Sequence, residues 1–203
     1  MRHWFTLFLL LFSFGAVSPV GAEKTPDPGI FRGYLVTLNG LSLTGHVAGM
    51  GYSGNRMYVQ YINDLGTFYR IWPQMVKGFV YHDFQNTVVF ESWQDKKRWR
   101  FLQVLYKGAA MSLYLEPQVV LDAASPDGIG HTVIQSAPVY FVEVNGRIVK
   151  TGPANFRKIM PHLLQQRAPH LSRKIGNPGY RFKDLWNIVQ EYNAFCKQNP
   201  FLL

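Results

Sequence analysis

The segment Gly33-Tyr34-Leu35-Val36-Thr37-Leu38-Asn39-Gly40-Leu41-Ser42-Leu43-Thr44-Gly45-His46-Val47 carries the strongest local signal in the chain. Apolar and polar residues alternate on both sides of Asn39-Gly40. Asn-Gly between two such runs signals a hairpin, because both residues tolerate the positive φ of a type I′ turn. The spacing predicts strands over 31–38 and 41–48. The same string, Tyr-x-Val-x-x-Asn-Gly, recurs from Tyr140, and predicts strands over 139–144 and 147–150 around Asn145-Gly146. Hairpin requirements alone account for the repeat, so it reads as convergence and not as duplication.

Working outward, runs at 57–61 and 67–72 flank Asn63-Asp64-Leu65-Gly66. Further strand patterns at 76–82, 87–93, 98–106 and 111–115 are separated by turns at 83–86, 94–97 and 107–108. The order reads as an antiparallel meander, followed by a loop over 122–130. From Gly152 the period becomes helical. Asn155 is an N-cap before Phe156, Ile159, Leu163 and Leu164, while Pro161 is expected to kink or split that helix. Pro169 opens a further turn through Leu171 and Ile175, closed by Gly176. A last helix over about 181–198 places Phe182, Leu185, Trp186, Val189, Tyr192 and Phe195 on one stripe, expected to pack on the sheet. The fold class that follows is α+β: a curved or partly closed antiparallel sheet of about eight to ten strands, with two or three C-terminal helices over one face or an open end.

Composition agrees. The 203 residues are 47% hydrophobic, 15% aromatic and only 16% charged, which excludes disorder, collagen and coiled coil and favours strands with bulky inward faces. Residues 1–22 read as a secretory signal: Arg2 and His3, an apolar run over 4–14, then Ser18-Pro19-Val20-Gly21-Ala22, with cleavage expected after Ala22. That run is far short of the ~20 apolar residues of a membrane span. The expected division is thus signal 1–22, β domain 23–152, and a helical segment 153–203 packed on the same domain. Location is expected to be periplasmic or secreted, or peripheral at the outer membrane. The final amphipathic helix argues against a membrane barrel. Cys196 is the only cysteine, so no internal disulfide forms, and a packed thiol is its simplest role.

Charge is uneven. Residues 23–150 carry 12 Lys/Arg against 10 Asp/Glu, net +2, whereas residues 151–203 carry 8 against 2, net +6. Such a field favours anionic partners, which outside the cytoplasm are anionic lipid, acidic polysaccharide or an acidic protein, and not nucleic acid. The most distinctive polar cluster follows Trp93: Lys96, Lys97, Arg98, Trp99 and Arg100. Three consecutive cations at a hairpin tip between two tryptophans can grip an anionic polymer by charge and stacking. The plainer account is a solvated tip with both indoles in the core.

Other signals are weak. Gly49-Met50-Gly51-Tyr52-Ser53-Gly54 matches the dinucleotide string, but a strand pattern follows it where a helix is required. It reads as a Gly-rich strand connection, and Asn55 spoils a nucleophile elbow. His46, His82, His131, His162 and His170 form no metal signature, and neither metal nor cofactor is expected. His82-Asp83 reads as a turn pair. Glu91, Glu116 and Glu143 fall in separate strands, so a glycosidase-type pair is not readable from spacing.

The strings Gly33-Tyr34-Leu35-Val36-Thr37-Leu38-Asn39-Gly40, Pro73 to Phe79, and Tyr192-Asn193 resemble a group of exported, β-rich bacterial proteins of the Bacteroidetes type with no established activity. The resemblance implies export and a β-rich body ending in helices, and brings no catalytic residues. The functional expectation is a non-catalytic envelope module, binding or structural, that contacts an anionic surface component. The alternative is a hydrolase acting on cell-wall or surface polymer through carboxylates brought together only by the fold.

Overall fold

The computed structural model describes residues 29–83, 85–117, 121–122, 131–132 and 138–200. The signal over 1–22 and most of the loop over 122–130 lie outside the described residues. Twelve strands precede three helices: β1 (Phe31–Thr37), β2 (Ser42–Ser53), β3 (Arg56–Asn63), β4 (Phe68–Ile71), β5 (Val76–Asp83), β6 (Asn86–Asp95), β7 (Arg98–Tyr106), β8 (Ser112–Leu115), the short β9 (Leu121–Asp122) and β10 (His131–Thr132), β11 (Tyr140–Val144), β12 (Arg147–Thr151), then α1 (Phe156–Gln165), α2 (Pro169–Lys174) and α3 (Leu185–Gln198). Ten strands make one antiparallel sheet in the order β12-β11-β8-β7-β6-β5-β1-β2-β3-β4, and β9 pairs with β10. The α+β class and the strand number expected from the sequence are those observed.

The order is not a simple meander. After β4 the chain does not add β5 beside it. Trp72 is extended, as the residue before a proline tends to be, and Pro73–Met75 forms a 3-10 turn that carries the chain back to the free edge of β1. β4 therefore ends as one edge and β12 as the other. The sheet then curls until β3 lies against β7, although four strands separate them in the ladder. Among the described residues the curl does not close, and β4 gains no second partner. Its interior is filled by Leu35, Val47, Met57, Val59, Phe79, Phe90 and Phe101. Phe79 stacks on Phe90 at 4.6 Å and meets Phe101 edge-on at 5.0 Å, an arrangement that suits the ring quadrupoles. The tight curl needs Gly78, where an added Cβ would lie 2.0 Å from the Phe90 carbonyl oxygen.

β7 and β8 serve two faces at once. Phe101 points into the barrel, while Leu102 joins Tyr114 and Phe141 in a small core on the opposite face. Leu113 points the other way from Tyr114 and, with Val142 and Val144, seats Phe156, Met160, Leu164, Ile188 and Tyr192 of the helices. Alternation along each strand puts barrel interior and helix seat on one face of the same sheet. The helical segment thus packs on the β domain.

Three local expectations change. Pro161 leaves α1 unbroken, because the Phe156–Met160–Leu164 face stays anchored in the core on either side of the lost hydrogen bond. The buried face of α3 is Leu185, Ile188, Val189, Tyr192, Asn193 and Cys196, while Trp186 is exposed and Phe195 only partly buried. The Gly49–Ser53 stretch is the second half of β2, not a connection: a bulge between Val47 and Gly49 re-aims it, and Gly51 gives room to the Tyr58 ring. No helix follows it, so no phosphate cradle is present there.

Candidate functional site

Antiparallel pairing fixes which hairpin tips share an end. β1, β3 and β6 run one way and β2, β4, β5 and β7 the other, so the β1–β2, β3–β4 and β6–β7 tips, together with the start of β5, all lie on one rim of the barrel. The β2–β3 and β5–β6 tips lie on the opposite rim.

Two of the tips on the first rim have the same build. At Thr37–Leu41, Thr37 N–H donates to Leu41 O and Gly40 N–H to Thr37 O. At Asn63–Thr67, Asn63 N–H donates to Thr67 O and Gly66 N–H to Asn63 O. Each closes with a glycine at positive φ, +88° at Gly40 and +80° at Gly66. Asn39 is not left-handed, so the expected two-residue type I′ turn is replaced by a three-residue loop. Asn145 and Gly146, at +53° and +74°, do form the type I′ geometry. The wider loops carry apolar residues where polar ones are usual. Leu41 is 62% exposed and Leu65 89% exposed, with Leu38 and Phe68 beside them. Nine large apolar side chains are exposed among the described residues, and all but Trp186 lie at this end. Single exposed apolar residues need no explanation, but eight at one end do. Between the two tips the barrel mouth opens as a groove of about 490 Å³, with buried Leu35, Tyr61 and Ile71 at its floor and Leu43, Leu65 and Tyr69 at its lip.

The third tip is the basic hairpin. Lys96 takes φ +56° to make the turn, and Lys96, Lys97 and Arg98 are exposed with no ion-pair partner within 4.0 Å among the described residues. Trp99 is exposed beside them. Lys77 adds a fourth cation, its ammonium 3.9 Å from where a side chain on Gly40 would begin. The acids on this rim are Asp64, which accepts a hydrogen bond from Thr44, and Asp95. The expected cluster therefore divides. Lys96, Lys97, Arg98 and Trp99 stay on the rim, whereas Arg100 turns to the opposite sheet face, paired with Glu116 over the Phe141 ring. Trp93 also leaves the tip: it lies edge-on to Tyr114 and donates to Glu91 at 3.3 Å.

Glu91 accepts from Lys107 at 2.8 and 2.9 Å, from Tyr114 at 2.8 Å and from Trp93. Burial, aided by the Glu91 carboxylate, pushes the Tyr114 phenol up to about 12. Burial would lower Lys107, but its bonds to Glu91 and Tyr114 outweigh this and move it upward. A groove of about 410 Å³ lined by Val36, Val80, Val89 and Trp93 lies beside Glu91. That carboxylate is saturated with donors, Glu116 is held by Arg100, and Glu143 accepts from the Gly146 N–H in the β11–β12 turn. The three acids of the hydrolase alternative are thus each tied to a structural partner. His82 bonds Thr87 across its turn and His170 packs on Phe195. Among the described residues no three metal-binding side chains converge, and no helix is long and apolar enough to cross a membrane.

The fold and rim define a class: an open β-barrel extended into a helix-backed sheet, with the basic hairpin tip and most of the exposed large apolar side chains of the described residues on one barrel rim. No family model matches the chain, and neither a curated protein nor a solved structure shows significant similarity to it.

Sequence reasoning found the basic tip but missed Leu38, Leu41, Leu65, Phe68 and Lys77. A signal was available in the leucines at turn positions, where solvation ordinarily selects polar residues.

Proposed function

We propose that this chain is an exported, non-catalytic module that attaches to an anionic surface component of the cell envelope through the rim that bears Lys96, Lys97 and Arg98. One observation carries the reading: these three exposed side chains project from a hairpin tip with no ion-pair partner among the described residues, on a rim that also bears most of the exposed large apolar side chains. Ammonium and guanidinium groups so placed meet an anionic surface at a gain of about 1 kcal/mol each. The helical tail holds more cations, of which Lys174 is paired with Glu191.

Among the described residues all three cores are built from residues 35–196, and the chain from residue 23 keeps them. Co-sedimentation of that chain with envelope fractions across a salt series tests the proposal. Binding should fall steeply as salt shortens the Debye length, and replacing Lys96, Lys97 and Arg98 with Ala should weaken it about a hundredfold. Binding insensitive to both would remove the rim from the account.

A further inference from the structure

Resting on that reading, we infer that the surface is a lipid bilayer carrying anionic headgroups, and that the β1–β2 and β3–β4 tips insert Leu41, Leu65 and Phe68 into it while the basic tip holds the headgroups. Leu41 and Leu65 stand on two separate hairpin tips, 62% and 89% exposed, with the groove between them, so they do not form the flat, packed centre that a protein interface requires. A fluid bilayer accepts separate apolar points because acyl chains close around each one. Four cations, Lys77, Lys96, Lys97 and Arg98, lie on the same rim against the acids Asp64 and Asp95. This excess disfavours a second copy of the same chain, whose like-charged rim would meet it face to face, and favours phosphate headgroups. Trp99 is exposed directly after the basic tip, and an indole with one apolar and one polar side suits a membrane interface. A soluble anionic polysaccharide would use the cations and leave Leu41, Leu65 and Phe68 in water.

The test compares two probes: vesicles of phosphatidylcholine and phosphatidylglycerol in equal amounts, and heparin as a bilayer-free anionic polymer. The variant Leu41→Ser/Leu65→Ser/Phe68→Ser keeps the charge and alters only exposed positions, and an unchanged thermal midpoint confirms that it folds. Its affinity for vesicles should fall at least about tenfold while heparin binding stays within about twofold of the parent. Lys96→Ala/Lys97→Ala/Arg98→Ala should weaken both. Equal vesicle binding by the Ser variant and the parent would overturn insertion and leave the surface-binding reading standing. So would a parent that binds heparin and ignores vesicles. A parent that binds neither probe nor envelope fractions would overturn both.

Discussion

Asn193 joins α3 to the sheet. Its Oδ1 accepts from the N–H groups of Ala110 and Met111 at 3.0 and 3.2 Å, and its Nδ2 donates to Met111 O and to Val189 O, both at 2.8 Å. Gly108 makes room, since a Cβ there would lie 2.3 Å from Asn193 Oδ1. Asn193→Leu removes these bonds and leaves buried backbone groups without partners, so it should cost about 2–4 kcal/mol in urea unfolding. Trp186→Ala should cost under about 1 kcal/mol, although an apolar stripe read from the sequence ranks the two the other way. The sequence could not rank them correctly, because the partners of Asn193 in the sheet segment are more than 80 residues away. Tyr114 makes a second residue-level prediction. Its folded value of about 12 lies above the ordinary 10.0, so the folded state holds the proton longer than the unfolded chain does. That contribution is complete below pH 10 and is lost as pH climbs from 10 towards 12. Tyr192, raised to about 12 mainly by burial, acts in the same window. Tyr114→Phe should therefore show a shallower loss of stability between pH 10 and 12 than the parent, read by urea midpoints at each pH.

At the scale of elements, identical strings give different turns. Tyr-x-Val-x-x-Asn-Gly ends in a three-residue loop at Leu38–Gly40 and in a two-residue type I′ turn at Asn145-Gly146. Both hairpins were legible because alternation and Asn-Gly are local signals. The turn type was not, because it follows from the register of the flanking strands. Asn145→Ala should destabilise by about 1 kcal/mol, since Ala is forced into the left-handed region, while Asn39→Ala should be nearly neutral. Equal costs in thermal unfolding would show that the two turns do not differ. Most strands of the main sheet, and the start of α1, were legible to within a residue or two, because their apolar periods are strong. β2 was cut short at residue 48 because glycines at 49, 51 and 54 look like a connection; instead the ladder bulges between Val47 and Gly49, Gly51 makes room for the Tyr58 ring, and only Gly54 lies in the turn.

At the scale of the molecule, a ten-stranded sheet has central strands that feed different cores on opposite faces. This arrangement was beyond sequence reasoning. The placement of β5 beside β1 depends on the crossing at Pro73–Met75, and the approach of β3 to β7 depends on accumulated twist across six strands. The rim was legible only as its basic tip. Its apolar half emerged when strand direction brought the residue 38–43 and 63–69 segments to the end that bears Lys96, Lys97 and Arg98. The attachment account therefore makes a claim about orientation, which amide hydrogen exchange on vesicles containing phosphatidylglycerol tests directly. Exchange should slow at 38–43, 63–69 and 95–99, and remain unchanged at 53–56 and 144–147. Protection concentrated at those last two tips, or spread evenly over the sheet, would contradict it.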